Sequence, residues 1–224
     1  MVHPPFSFGE ITQSFQVNLA LLLKSFRQKN VKRFIVDHFN FEEVEILDDH
    51  IRYKEWKFKN VVFCEGYTVK DNPFFNYLPF EGAKGEVLLL NIPGFNPEKI
   101  LRHKVFFAPL GGDIYWVGAG YAWDLDEVQP TAKERQRLLS IAEEVLTVPF
   151  TVIDHLVGVR PASKDRRPIM GTHPEFNNLH LFNGLGTKGS SLGPFWANRM
   201  GEYLTDRIPL DNEVDLTRFG LERK

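Results

Sequence analysis

Two stretches of the chain carry apolar residues at near-helical spacing, residues 17–29 and residues 131–146. Apolar positions three and four residues apart line one face of a helix, so each stretch predicts an amphipathic helix. In the second stretch, Thr131 followed three residues later by Glu134 is the pattern of a capping box. Its predicted buried stripe consists of Leu138, Leu139, Ala142 and Val145. A third helix is predicted over residues 189–205, after a glycine-rich turn.

Shorter apolar runs between these helices predict β-strands. The predicted strands cover residues 32–37, 44–47, 51–53, 60–64, 86–92, 104–109, 113–118, 151–157 and 179–182. Gly111 and Gly112 separate two of them, which is a strong hairpin signal. Because helices lie between groups of strands, the pattern predicts an α+β fold with a large, mostly antiparallel sheet and flanking helices.

Composition and charge narrow the classes of function. The chain has 224 residues, is 43% apolar and 25% charged, and carries a net charge of −2 without a basic block. A nucleic-acid surface needs a clustered positive patch, so no nucleic-acid partner is expected. The apolar runs are too short to cross a membrane, and the first residues lack a signal-peptide pattern. The single cysteine, Cys64, allows no internal disulfide, so a cytoplasmic location is the default expectation.

A glycine-rich segment at residues 183–189 reads N-G-L-G-T-K-G and lies between a predicted strand and a predicted helix. Its G-x-G-x-x-G spacing lets backbone approach a phosphate at a helix N-terminus. A complete dinucleotide-binding unit also needs a second parallel strand, and the polar residues after 205, interrupted by Pro209, do not supply one. The segment is therefore either an auxiliary cofactor-facing helix start or a tight turn.

Arg160 precedes Pro161 in a stretch rich in proline, glycine and arginine, which is predicted to be a loop that joins two strands. A guanidinium on a stiff loop suits bidentate capture of a carboxylate. The alternative is a surface arginine paired with Asp165 or Glu175. The seven histidines show no zinc-ligand spacing and no hydrolase signature is present, so neither a metal site nor a catalytic side chain is predicted.

Four blocks together resemble the FAD-dependent oxidoreductases related to D-amino-acid oxidase and glycine oxidase. They are V-V-F-C-E-G-Y at residues 61–67, K-G-E-V-L at 84–88, the hairpin at 106–121, and the long block at 158–194. The resemblance divides the chain into the start of the substrate domain with linking strands (1–60), a substrate-binding domain (61–157) and a C-terminal FAD-side segment (158–224). That last segment would be the strand–helix remnant of the FAD-binding domain.

The resemblance implies oxidation of an amine or amino acid by hydride transfer to flavin, with FAD as cofactor. It implies that Arg160 pairs with a substrate carboxylate. The hairpin aromatics Tyr115, Trp116 and Tyr121 are candidate pocket walls, with core packing expected for at least one of them. The residues it places against the cofactor are Gly66, Gly184, Gly186, Thr187, Lys188 and Gly189.

One departure from the family pattern concerns the cofactor. The family begins with a strand, a G-x-G-x-x-G turn and a helix that bind the ADP part of FAD, and nothing like this precedes residue 17. The chain is therefore expected to lack the N-terminal dinucleotide-binding half and not to retain FAD tightly by itself. Two hypotheses follow: part of an oxidoreductase, or a non-catalytic ligand-binding or scaffold module. A homo-oligomer or a separate FAD-binding half is the expected protein partner.

Overall fold

The first helix, α1 (Leu19–Lys29), begins where the side chain of Asn18 accepts a hydrogen bond from the Leu21 N–H at 2.9 Å. The helix predicted over residues 17–29 is confirmed, with its start moved two residues later by this cap. The computed structural model describes residues 2–3, 9–95, 99–125 and 127–220. None of the residues of α1 is buried.

The second helix, α2 (Ala132–Val145), is also confirmed, and Thr131 caps it by accepting the Glu134 N–H at 3.2 Å. The predicted capping box is only half formed. Glu134 instead pairs with Arg137, and the carboxylate of Glu86 accepts the Thr131 N–H at 2.7 Å. The third helix, α3 (Gly189–Thr205), has the predicted bounds.

The strands are as follows: β1 (Val44–Ile46), β2 (Ile51–Tyr53), β3 (Trp56–Phe58), β4 (Val61–Phe63), β5 (Phe80–Asn91), β6 (Leu101–His103), β7 (Val105–Gly111), β8 (Ile114–Gly118), β9 (Thr151–Ser163), β10 (Ile169–Thr172) and β11 (Leu179–Asn183). Eight of the nine predicted strands are confirmed in place. The strand predicted over residues 32–37 is wrong: it begins in a 3-10 turn, Val31–Arg33, and no described strand pairs with the rest. A strand needs a neighbour for its backbone hydrogen bonds, and pattern alone does not supply one.

The chain forms two compact units. Unit 1 consists of Met1–Glu10 and Gly82–Arg160, and unit 2 consists of Ile11–Glu81 and Pro161–Lys224. Each unit is a set of residues that contact one another more than they contact the rest of the chain. The division at 1–60, 61–157 and 158–224 that the family resemblance implies stays a prediction.

Unit 1 is built on a five-stranded sheet with the order β6-β7-β8-β5-β9. Strands β5 to β8 are joined by antiparallel pairing, and Gly111 and Gly112, both at positive φ, form the predicted hairpin turn between β7 and β8. Its buried core joins the sheet to α2 through Leu88, Leu90, Phe107, Tyr115, Val117, Leu138, Ile141 and Ala142.

Unit 2 holds two three-stranded sheets. One is an antiparallel meander, β1-β2-β3, and the other has the order β10-β11-β4, with β10 antiparallel and β4 parallel to β11. The predicted α+β class with mainly antiparallel pairing is confirmed. The strand–turn–helix formed by β11 and α3 is the element predicted at the C-terminal end.

Candidate functional site

The loop predicted around Arg160 is wrong, because β9 continues through Ser163 and Arg160 lies within it. The side chain of Arg160 crosses β5 at Gly85. A Cβ at Gly85 would lie 2.6 Å from the Arg160 Cζ, so any larger residue there would displace the guanidinium. Glycine inside a strand commonly marks such a close approach. Gly85 was not predicted as a site residue, although it lies in the K-G-E-V-L block at residues 84–88 that the family resemblance singled out.

The guanidinium of Arg160 donates to backbone carbonyls only. Nη1 lies 3.5 Å from the Ala83 oxygen, and Nη1 and Nη2 each lie 3.4 Å from the Gly120 oxygen. Charge-assisted bonds to a carboxylate are shorter, about 2.7–2.9 Å. The side chain is half-buried, and among the described residues no carboxylate pairs with it. Its charge is thus held in place without being neutralised.

The two alternative partners predicted for Arg160, Asp165 and Glu175, belong to unit 2. Within that unit, Asp165 accepts from the Arg218 Nε at 2.9 Å and from the Ser163 hydroxyl at 2.9 Å. The interpretation of Arg160 as a surface arginine paired with one of them stays a prediction.

Tyr121 and a cavity complete the surroundings of Arg160. The Arg160 Cζ lies 5.4 Å from the centroid of the Tyr121 ring, within the range of a cation–π contact. A cavity of about 330 Å³ adjoins them. Its lining is apolar apart from the arginine and consists of Gly85, Val87, Trp116, Ala119, Leu156, Val157, Gly158, Val159 and Arg160.

Tyr115, the other predicted substrate residue, lies in the core of unit 1. It is 1% exposed and its ring packs against Phe95 at 5.2 Å between centroids. Strand alternation turns Tyr115 and Trp116 to opposite faces, and Trp116 is the one that lines the cavity. Burial raises the pKa of the Tyr115 phenol, which stays protonated. The structure thus places Tyr121 beside Arg160 and keeps Tyr115 in the packing.

In unit 2, Asn183 joins two of the predicted cofactor residues. Its side-chain nitrogen donates to the Gly66 carbonyl at 2.8 Å, and its side-chain oxygen accepts the Gly184 N–H at 2.8 Å. Asn183 is 4% exposed. One buried amide therefore fixes the glycine after β4 against the glycine turn after β11. Asn183 is the first residue of the glycine-rich segment at residues 183–189, but it was not predicted as a site residue.

The space above the backbone differs among the predicted cofactor glycines. Gly184 (φ +80°) packs closely, since a Cβ there would lie 3.1 Å from the Ile169 nitrogen. Gly66 (φ +64°) and Gly186 (φ +52°) have no atom within 4 Å of a Cβ position. Open space over positive-φ backbone is the form that a close-lying ligand requires.

The remaining predicted cofactor residues lie at the start of α3. Thr187 and Lys188 are exposed, and α3 begins at Gly189 without a side-chain cap on its first N–H groups. A 3-10 turn, Gly186–Lys188, runs directly into α3, and the positive end of the helix dipole favours an anion there. After α3, the described residues contain no further strand.

Comparison with known proteins gives a consistent result. The family model described as FAD dependent oxidoreductase (DAO) matches residues 12–207. The solved iminodiacetate oxidase from Chelativorans is 20% identical, with a TM-score of 0.63 over 77% of this chain and 51% of that one. The glycine oxidase from Geobacillus kaustophilus is 22% identical, with a TM-score of 0.60 over 78% and 49%.

Among curated proteins, the tRNA 5-methylaminomethyl-2-thiouridine biosynthesis bifunctional protein of Idiomarina loihiensis is 25% identical over 154 residues. This match covers 66% of this chain and 25% of the relative. The chain thus spans about half the length of the similar solved structures and a quarter of this relative. Within the described residues, no helix combines the length and apolarity needed to cross a bilayer. The match over residues 12–207 is decisive for ancestry: the chain belongs to the FAD-dependent oxidoreductase (DAO) family.

Proposed function

We propose that this chain forms part of an FAD-dependent oxidoreductase that oxidises an amine or amino acid by hydride transfer to flavin. Arg160 carries the proposal, because its half-buried guanidinium has only carbonyl partners and adjoins an apolar cavity. A substrate carboxylate would replace two long contacts to the Gly120 oxygen with two short, charge-assisted ones. Tyr121 would cover the guanidinium, and Gly85 leaves it room.

The residues that would hold the cofactor are Gly66, Gly184, Gly186, Thr187, Lys188 and Gly189. The open backbone at Gly66 and Gly186 and the uncapped start of α3 fit a planar, anionic group. When bound, FAD supplies the two-electron acceptor for the hydride leaving the carbon that bears the amine. The chain's own contribution is binding and orientation, since the cavity lining contains no titratable side chain except Arg160.

Tight FAD binding is proposed to need a dinucleotide-binding half in addition to residues 1–224. The described residues supply a glycine turn without the second strand of a βαβ unit. Purified chain should therefore bind FAD weakly or not at all, measured from the flavin absorption that remains after desalting. A stoichiometric flavin spectrum from this chain alone would contradict the proposed incompleteness.

Homo-oligomerisation, a cytoplasmic location and the absence of nucleic-acid and membrane partners remain part of the proposal.

The substrate is proposed to be a small amine that carries a carboxylate. The curated relative is named for biosynthesis of a methylaminomethyl uridine in tRNA. Here, however, the net charge is −2, without the basic block that a tRNA surface requires. A small ligand also suits a cavity of about 330 Å³.

The test measures carboxylate binding without requiring turnover. Iminodiacetate and glycine are titrated into the chain by calorimetry, with ethanolamine as a probe that lacks the carboxylate. Arg160→Ala should weaken binding of the two carboxylates by about 2–5 kcal/mol. Arg102→Ala, which removes an exposed arginine of the same unit, is the matched control and should leave both affinities unchanged.

The same titrations separate the main proposal from the non-catalytic alternative. Carboxylate binding that depends on Arg160, with no flavin bound even when a dinucleotide-binding half is supplied, would favour a ligand-binding or scaffold module. Equal affinities for wild type and Arg160→Ala would remove Arg160 from the site.

A further inference from the structure

The position of Arg160 depends on two backbone segments that are hydrogen-bonded to each other. Its acceptors are the carbonyls of Ala83 and Gly120. The Gly120 N–H donates to the Glu86 carbonyl at 3.2 Å, and Lys84 and Ala122 exchange two backbone hydrogen bonds of 2.8 and 2.9 Å. These two segments, 83–86 and 120–122, form what we call the arginine cradle. A residue that holds these two segments in place therefore also holds the carbonyl acceptors of the Arg160 guanidinium.

Glu86 fixes the cradle from the opposite face of β5. Strand alternation turns Gly85 to the guanidinium and the side chain of Glu86 to α2. The carboxylate is 4% exposed, and both of its oxygens bond Thr131: Oε2 accepts the backbone N–H at 2.7 Å and Oε1 accepts the hydroxyl at 3.0 Å. The start of α2 is thereby joined to the cradle by two hydrogen bonds to a charged group, which are stronger than neutral ones.

The same carboxylate also contacts β9, the strand that carries Arg160. The His155 Nε2 lies 3.0 Å from the Glu86 Oε2 but out of line for a hydrogen bond, and it has no other partner in the described structure. His155 precedes Arg160 by five residues. Glu86 therefore contacts the helix start, the cradle strand and the arginine strand at one point.

Burying the carboxylate of Glu86 costs free energy of folding, so its presence at this position calls for a specific role. Removing a carboxylate from water is unfavourable, and a well-packed apolar side chain often serves stability equally well. Helix α2 already has its N-cap in Thr131, which accepts the Glu134 N–H. We propose that Glu86 is a positioning residue that holds the arginine cradle, and through it Arg160, in the ligand-binding arrangement. This inference rests on the proposed function only for what Arg160 binds.

The test observes Arg160 directly, before any ligand is added. In ¹H–¹⁵N spectra of the chain, the Arg160 Nε–H signal is assigned as the one missing in Arg160→Lys. Glu86→Gln keeps an acceptor for the Thr131 N–H and a partner for its hydroxyl, so the signal should keep its position and width. Glu86→Met keeps the volume but loses both hydrogen bonds, so the signal should shift and broaden.

Leu138→Ala is the matched control for a purely structural effect, because Leu138 lies in the α2 core and supplies no group to the cradle. It should lower the melting temperature while leaving the Arg160 signal in place. If Glu86→Met does not fold, Thr131→Val removes the hydroxyl that donates to Glu86, together with the N-cap of α2, and should produce a smaller shift in the same direction. An unmoved signal in Glu86→Met, or in Thr131→Val where that variant replaces it, would overturn the proposal. So would an equal change in Leu138→Ala.

Iminodiacetate titration separates this proposal from the proposed function. Glu86→Met should weaken binding at least tenfold and Glu86→Gln should restore it. A shifted Arg160 signal in a chain whose wild type binds no carboxylate would support positioning and count against the proposed ligand. Binding that Arg160→Ala abolishes and Glu86→Met leaves intact would overturn the positioning role alone.

Discussion

Helices α1 and α2 come from the same kind of sequence pattern but end in different surroundings. Both are amphipathic, and both begin at a polar side chain that caps a backbone N–H. Helix α2 buries Leu138, Ile141, Ala142 and Val145 against the sheet of unit 1, whereas α1 buries no residue. On α1 the apolar side chains stay about half exposed, from 46% at Leu19 to 59% at Leu21.

This difference shows that periodicity predicts a helix and the face it would bury, without supplying the partner. Most helical stability in proteins comes from packing of the apolar face, so equal patterns can have unequal energies. The strand predicted at 32–37 failed for a related reason, because among the described residues no strand lies beside it to take its backbone hydrogen bonds. Contiguous exposed apolar side chains, such as those of α1, commonly mark an interaction surface.

The largest expected difference is between Leu138→Ala and Leu22→Ala. Leu138 is fully buried, so its truncation should cost about 2–5 kcal/mol of unfolding free energy. Leu22 is 55% exposed, so the same change should stay within about 0.5 kcal/mol. Urea denaturation of both variants measures the pair. A cost for Leu22→Ala close to that of Leu138→Ala would mean that α1 is covered in solution, for example by a second copy of the chain.

Removing the N-cap should also destabilise the chain more for α2 than for α1, but the difference should be smaller than for the leucine pair. Thr131→Ala removes the N-cap of α2 and should cost about 1 kcal/mol of global stability, or more because Glu86 also loses a partner. Asn18→Ala removes the cap of α1, where little packing depends on it. Its effect should therefore appear as faster amide exchange within α1, with the urea midpoint unchanged. A lowered midpoint for Asn18→Ala would show that α1 folds cooperatively with the rest of unit 2.

The smallest expected effect concerns His173, a buried side chain of unit 2. Burial lowers the pKa of His173, whose Nδ1 accepts the N–H groups of Glu175 and Phe176 at 3.1 and 3.3 Å. The unfolded chain then binds the proton more readily than the folded one. This contribution to stability is complete above about pH 6.5 and is lost as the pH falls below it.

The measurement compares wild type with His173→Asn by urea unfolding at several pH values. Asparagine keeps a side-chain acceptor and does not titrate, so the variant should lose less stability on acidification. Parallel pH profiles for the two proteins would show that His173 is protonated equally in the folded and unfolded chains.

Much of the fold followed from local sequence. Eight strands, three helices and the hairpin at Gly111 and Gly112 were predicted, because periodicity, glycine turns and caps act within a few residues. The capping box was half right: Thr131 took its predicted role, but Glu86, distant in sequence, took the place of Glu134. Strands β3, β6 and β10, each of only three or four residues, were not predicted.

The candidate site was also predicted only in part. Arg160 and the glycine turn were predicted from residue type and spacing, whereas the residues that hold them in place were not. Gly85 makes room for the guanidinium, and Asn183 joins Gly66 to Gly184. These roles depend on which strands become neighbours, and a side chain's partner across a sheet is set by register rather than by sequence distance.

By itself, the sequence determined the α+β class, the helix and strand positions, and a family resemblance concentrated in residues 158–194. Only the tertiary structure decided that Tyr115 packs in the core, that Tyr121 lies beside Arg160, and that α1 remains uncovered. The physical reason is that a short segment fixes its own backbone preferences and its apolar face. The groups that meet that face, and the groups that hold a charge in place, come from elsewhere in the chain.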